Sequence, residues 1–270
     1  MRPAWSSIFD DSHLPRYEVA DLGPITKEWA WGGSTGSGVR VAVIDSGVEA
    51  DHSAIGGVKH AVAIEPDPVA PGQVIITEGA HEDLFGHGTA CAGIIRQVAP
   101  DVELYSIRVL GERLAGQGVA LMAGLQWAID NGIQVVNLSL GTSRRDFFGM
   151  LHELADRAFF KSMALVCAAS NLPEPSFPAE YASVFSVAAH DRHDPLSFDY
   201  NPTPPVEFGA PGINVEVPWR GGSRLVVTGN SFAAPHITGL IARILQNHPL
   251  LLPFQLKSVL VALAENAKRR

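Results

Sequence analysis

Three side chains stand where a nucleophilic reaction could be assembled. Asp45 directly follows the apolar run VRVAVI at 39–44, His87 lies between glycines in Gly86-His87-Gly88-Thr89, and Ser231 stands in Gly229-Asn230-Ser231-Phe232-Ala233-Ala234-Pro235-His236. An acid that ends a buried strand faces the carboxyl edge, where open α/β sheets place their functional crevice. The His87 ring is expected at the start of the small-residue helix Ala90-Cys91-Ala92-Gly93-Ile94-Ile95, with close backbone access from its flanking glycines. Pro235 is expected in the first turn of a helix, among amides that have no intrahelical carbonyl to pair with, which puts Ser231 at the helix N-terminus. Taken singly, each residue has a structural part open to it: a turn or cap for Asp45, a solvated loop for His87, an N-cap for Ser231. Taken together, in the order Asp, His, Ser and each in a Gly-flanked turn, they are far more specific. Such a set can carry covalent acyl transfer, with a hydroxyl nucleophile, an imidazole base and a carboxylate that orients the base.

The elements that must position them alternate along the chain. β-Branched runs stand at 39–44 (VRVAVI), 102–110 (VELYSIRVL), 133–140 (IQVVNLSL), 163–169 (MALVCAA) and 184–189 (VFSVAA), continuous enough for strands covered on both faces. Phe147, Met150, Leu151, Leu154, Ala155 and Ala158 recur at helical spacing, and a helix over 118–131 closes at Asn131-Gly132. Ile237, Leu240, Ile241, Ile244 and Leu245 mark another helix, and Leu256, Val259, Leu260 and Leu263 a last one opened by Pro253. The pattern predicts one α/β domain over 39–265, with a mostly parallel sheet and helices on both faces. An N-terminal extension at 1–38 precedes it and a basic tail at 266–270 follows.

Composition sets the outer bounds. With 46% apolar and 18% charged residues over 270 positions the chain can bury a core, and its net charge of −8 lacks the footprint of a general nucleic-acid or anionic-membrane binder. No run of 18 apolar residues is present, so neither nucleic acid nor membrane is an expected partner. Cys91 and Cys167 have no CxxC or metal-like spacing, which predicts a reducing compartment and a cytoplasmic location. The Gly32–Gly38 stretch precedes a strand instead of following one, HELAD at 152–156 lacks the second histidine of HExxH, and no GxSxG elbow occurs. Dinucleotide enzyme, zinc peptidase and α/β-hydrolase therefore drop out.

The strings VAVIDSGV, GHGTACAG and GNSFAAPH resemble the three signature segments of the subtilisin-like serine proteases, over about residues 38–262. VNLSLG at 136–141 resembles the family's substrate-binding strand, and CAASN at 167–171 the strand ending in its oxyanion asparagine. The resemblance implies a subtilisin-like three-layer fold and a serine endopeptidase that works without cofactor, and no metal site is expected from the sequence. His87 would take the Ser231 proton and pass it to the leaving amine, Asp45 would hold the ring and stabilise its cation, and Asn171 with the Ser231 N–H would receive the oxyanion. A polypeptide substrate would bind extended between Leu114–Gly118, with Gly116 and Gly118, and Ser139-Leu140-Gly141. Its side-chain pocket would be walled by Ser139–Gly141 and by Ala168, Ala169 and Ser170, with Ser176 near the base and no charge in the walls, so an uncharged preference is expected.

Against the common family pattern, Asn230 and Phe232 replace Thr and Met, Ser170 replaces a glycine, and Ala90 replaces a histidine. The chain also passes from GIIRQ straight to VAPDVELY, where many secreted relatives insert a calcium loop, so no calcium site is expected there. Residues 1–38 are too short for the cleaved prodomain of exported members, which points to the intracellular ones, where an N-terminal extension can cover the site. Leu14-Pro15-Arg16-Tyr17 is the candidate for such autoinhibition. Cys91, four residues after His87 on one helix, is expected below the imidazole, as a small apolar residue or as a target for mercurials. Two further readings stay open: dedicated trimming of a leader or precursor peptide in place of general turnover, and a silent domain that only binds peptide or protein.

Overall fold

The computed structural model describes residues 24–267, so Leu14–Tyr17 and residues 268–270 lie outside it. Its elements are α1 (Lys27–Ala30), β1 (Arg40–Asp45), β2 (His60–Pro66), β3 (Val74–Glu78), α2 (His87–Val98), β4 (Glu103–Arg108), α3 (Gly118–Asp130) and β5 (Val135–Leu138). They continue with α4 (Phe148–Phe160), β6 (Ala164–Ala168), β7 (Phe185–His190), β8 (Asp199–Tyr200), β9 (Phe208–Pro211), β10 (Val215–Trp219), β11 (Ser223–Val227), α5 (Asn230–Asn247) and α6 (Pro253–Leu263). Nine strands form one sheet in the order β3-β2-β4-β1-β5-β6-β7-β9-β8. All neighbours pair in parallel except the edge pairs β2–β3 and β8–β9. β10 and β11 make a separate hairpin.

Alternation along β1 builds the three layers. Val41 and Val43 enter one core with Cys91 and Ile95 of α2 and Ile237 and Leu240 of α5. Ala42 and Ile44 enter the other with Leu121 and Leu125 of α3 and Leu151 and Ala155 of α4. Successive side chains point to opposite faces, so an unbroken apolar run requires cover on both sides. The order of connection reverses at β1, with β2 and β4 on one side and β5 to β7 on the other, and a crevice forms at such a switch point. The expected strand at 102–110 ends at Arg108, because the N–H groups of Val109 and Leu110 both turn to the Asp45 carbonyl, at 2.8 and 3.1 Å.

The folded body is longer at both ends than the predicted 39–265. Trp29 stacks on His248 at 4.0 Å, Trp31 is buried, and Gln246 Oε1 accepts the N–H groups of Thr35, Gly36 and Ser37 at 2.8, 2.7 and 3.1 Å. Asn266 exchanges two hydrogen bonds with the Tyr200 backbone. Apolar Trp and Ala side chains within a Gly/Ser-rich context gave no periodicity, yet they fill the groove beside α5. This part of the extension sits at the far end of α5 from Ser231, roughly 22 Å along the axis at about 1.5 Å per residue, so residues 29–37 do not cover the site.

α2 and α5 deliver His87 and Ser231, and they approach closely: a Cβ on Gly239 would lie 2.6 Å from Val98 Cβ. Gly239→Ala is expected to lower stability by about 1–3 kcal/mol through overpacking. Gly149→Ala on α4, where a Cβ meets nothing within 4 Å, is expected to raise it by up to about 1 kcal/mol. Urea unfolding midpoints of the two variants read the difference; equal midpoints would contradict the close α2–α5 contact.

Candidate active site

Asp45, the last residue of β1, is fully buried, and a carboxylate at that depth needs partners. His87 Nδ1 donates to its Oδ1 and Oδ2 at 2.9 and 2.8 Å, and the Ser46 N–H donates to Oδ1 at 2.7 Å. Because a carboxylate only accepts, the proton of the neutral ring is on Nδ1 and Nε2 is the acceptor. Burial of the ring is the largest single influence and opposes protonation, but the Asp45 charge, the Asp45 hydrogen bond and the Cys91 contact together outweigh it and hold the His87 pKa well above the usual 6.5. Cys91 Sγ lies 4.0 Å from Nδ1, below the ring as expected. Burial raises its pKa, so it stays a neutral thiol at neutral pH and adds no charge to the pair. Asp45, His87 and Cys91 bring potential ligand atoms within 4.8 Å of one another, but Nδ1 is already engaged by the carboxylate.

The turn ahead of His87 is held by a residue that the sequence reading passed over. Asp83, also buried, accepts from Ser46 Oγ (2.8 Å), Phe85 N–H (3.0 Å) and Gly86 N–H (2.7 Å) on Oδ1, and from Thr89 N–H (2.9 Å) and Thr89 Oγ1 (2.6 Å) on Oδ2. It ties the loop after β1 to the start of α2. An Asp four residues ahead of the histidine was the available signal, since short acidic side chains cap helix starts. Gly86 has φ +113° and would place a Cβ 2.5 Å from the Trp219 ring, while a Cβ on Gly88 would lie 2.0 Å from the Gly47 carbonyl. Both glycines are therefore dictated by geometry.

Ser231 is the second residue of α5, at the helix start as expected, but Pro235 is the sixth and lies inside the helix, not in its first turn. Lacking an N–H, Pro235 cannot bond the carbonyl four residues back, which is that of Ser231. Ser139 Oγ, at 2.8 Å, and Cys91 Sγ, at 3.6 Å, donate to that carbonyl instead. Ser231 Oγ in turn donates to the Ser139 carbonyl at 3.1 Å, so the expected bond to His87 is not made here and Nε2 has no partner among the described residues. A hydroxyl on a single methylene takes whichever acceptor its rotamer reaches, and the Ser139 carbonyl competes with the ring. Asn171 follows β6; its Oδ1 accepts the Asn230 N–H at 2.9 Å, and its amide nitrogen makes no hydrogen bond among the described residues.

His87 and Ser231 share one cavity of about 570 Å³ between the carboxyl ends of β4 and β5. Leu114, Gly116, Gly118, Ser139, Leu140 and Gly141, all in the segments named from the sequence, line it together with Leu110, Arg144 and Phe147. Ala169 and Ser170 line a second cavity of about 330 Å³ with Ser176, and Ala168 is buried at the end of β6. A Cβ on Gly141 would lie 2.4 Å from Ser176 Oγ, so Ser176 is wedged against the Ser139–Gly141 wall. Charge reaches both cavities from outside those wall segments, Arg144 lining the first and Glu174 and Glu180 the second. Phe147, expected on a helix, sits in the 3₁₀ turn before α4, with its ring over Gly118 and the Arg144 guanidinium 5.2 Å from its centroid. Helical spacing had hidden its place in the cleft.

The subtilase family model matches residues 36–270. Subtilisin DY of Bacillus licheniformis is 30% identical, over 87% of this chain and 86% of its own length. The thermostable alkaline protease of Halalkalibacterium halodurans is 32% identical over 80% of this chain, which spans 59% of that relative's length. The solved structure of sphericase superposes with a TM-score of 0.71 at 25% identity, covering 84% of this chain and 83% of its own. A matched model over most of the length, on a parallel sheet that carries Asp45, His87 and Ser231 to one edge, places the chain in the subtilase family.

Proposed function

We propose that this chain is a serine endopeptidase that hydrolyses peptide bonds through an acyl-enzyme, with Ser231 as nucleophile, His87 as base and Asp45 as the group that orients and supports the imidazole. The observation that carries the reading is the buried Asp45–His87 pair, which fixes the proton on Nδ1 and turns an acceptor Nε2 toward the cavity shared with Ser231. Rotation of Ser231 about Cα–Cβ breaks a single hydrogen bond, to the Ser139 carbonyl, and frees its hydroxyl for the ring. Attack on a substrate carbonyl then moves the Ser231 proton to Nε2, and the imidazolium gives it to the leaving amine. The oxyanion is received by the Asn171 amide nitrogen and the Ser231 N–H, one of the unpaired donors at the positive end of α5. Water repeats the sequence to release the acid.

The substrate lies extended between Leu114–Gly118 and Ser139–Gly141. Arg144, the one guanidinium among the described residues that line this cleft, offers a handle for a particular sequence, and we favour dedicated trimming of a leader or precursor peptide over general turnover. Free, buried Cys91 and Cys167 support a reducing, cytoplasmic setting, which fractionation of cells making the protein tests. Autoinhibition, if residues 1–38 provide it, falls to residues 1–23, and deleting them should raise the initial rate.

One observation favours the rival reading of a silent peptide-binding domain: the Ser231 hydroxyl is turned to Ser139. A fluorophosphonate probe decides between them. The active reading expects one adduct per chain, on Ser231, and none on Ser231→Ala or His87→Ala; folded wild-type protein that stays unlabelled supports the silent domain.

The raised His87 pKa sets the pH response. The base works only when neutral, so kcat/KM for a peptide amide is expected to rise with pH through a midpoint above 6.5. In Asp45→Asn the charge that raises the pKa is gone and burial remains, so the midpoint should fall below 6.5 while the plateau drops by about four orders of magnitude. A wild-type midpoint below 6.5 would contradict the pairing.

A further inference from the structure

Asn171 is exposed, precedes Leu172-Pro173, and has a side chain with several rotamers open to it; an oxyanion donor has to be held in one. The residue that meets its segment is Asn230, the first of α5. Asn230 Nδ2 donates to the carbonyls of Ser170 at 2.8 Å and Ala169 at 3.3 Å, the two residues immediately ahead of Asn171. Its Oδ1 accepts the Ala189 N–H of β7 at 2.8 Å, and its own N–H donates to Asn171 Oδ1 at 2.9 Å.

These four bonds admit one arrangement. Carbonyls require a donor and a main-chain N–H requires an acceptor, so the Asn230 amide has a single orientation between β7 and the end of β6. The Asn230 N–H likewise demands the oxygen of Asn171, which leaves the Asn171 nitrogen on the opposite side of its amide. A threonine hydroxyl, the family's usual group at this position, is one atom shorter and has one proton, so it cannot reach two carbonyls and an N–H together. We infer that Asn230 is a positioning residue: it clamps the 169–171 segment to the start of α5 and fixes the Asn171 amide relative to Ser231. The inference rests on the reading of Asn171 as oxyanion donor, and its test separates the two.

The experiment is a double-mutant cycle on a peptide amide substrate with Asn230→Ala, Asn230→Asp, Asn171→Ala and Asn171→Ala/Asn230→Ala, each checked by thermal melting. Asn230→Ala is expected to lower kcat ten- to a hundredfold with KM within twofold. Asn230→Asp, which sets a carboxylate oxygen against two carbonyls, should be at least as slow, and Asn230→Thr should recover part of the rate. The double variant should match Asn171→Ala within twofold, because a clamp has nothing to position once the amide is gone. A wild-type kcat in Asn230→Ala, or losses that multiply in full, would overturn the inference. If Asn171→Ala itself keeps the wild-type kcat, the oxyanion reading fails instead. The clamp is then still judged by ¹⁵N–¹H spectra: a shift of the Asn171 side-chain NH₂ pair toward random-coil positions in Asn230→Ala supports it, and unchanged resonances refute it.

Discussion

A carboxylate withdrawn from water has to be repaid in hydrogen bonds, and in this molecule that requirement organises the active edge of the sheet. Asp45 is buried at the end of β1, where, among the described residues, His87 and the Ser46 N–H are the groups that donate to it. His87 must therefore reach it from the first residue of α2, which in turn forces the tight turn around Gly86 and Gly88 and the set of bonds that Asp83 accepts. The single pair thus fixes the tautomer of the ring, the entry of a helix and the path of the loop that follows β1. Coulombic attraction in such a setting is strong, and losing one partner would leave the other charge stranded.

α5 brings its hydroxyl to the same edge by a different device. Pro235 removes a helical hydrogen bond, the Ser231 carbonyl is left open, and Ser139 at the end of β5 fills it. Asn137 Nδ2 supports Ser139 Oγ at 2.9 Å, and Thr238 Oγ1 joins α5 to Asn137 Oδ1 at 3.1 Å, so a buried polar seam runs along the contact between α5 and the sheet. A seam whose members are all satisfied gives one defined helix position, which apolar packing alone would specify less sharply. Close contact at Gly239 adds the steric limit on the α2 side.

Much of this was readable before any coordinates. The apolar runs that became β1, β5 and β6 are buried on both faces and those of β4 and β7 over part of their length, so they carry a continuous signal, and the helices that cover them show their stripes. β3 gave no signal because it is a largely exposed edge strand, β2 buries only the short run Ala61–Ile64, and β8 to β11 are short or lie outside the main core. At the site, Asp45, His87 and Ser231 could be named because glycines and strand ends mark them, and Asn171 only through the resemblance of CAASN to the family's oxyanion segment. The hydroxyl rotamer, the wedge of Ser176, the ring of Phe147 and the charges of Arg144, Glu174 and Glu180 depend on loops that come together only in three dimensions. Local pattern has no access to them. Asp83 lay between these cases, with a capping residue's spacing but no pattern to lift it above other acidic loop residues.

The central claim is that Ser231, relieved of the Ser139 carbonyl, becomes the nucleophile for a carbonyl held at the start of α5. A crystal structure with a peptidyl boronate tests it most directly. The account predicts a covalent bond from Ser231 Oγ to boron, one boronate oxygen within hydrogen-bond reach of the Asn171 amide nitrogen and the Ser231 N–H, and the other near His87 Nε2. A ligand seated in the cleft while Ser231 Oγ still donates to Ser139, with no bond to boron, would contradict it.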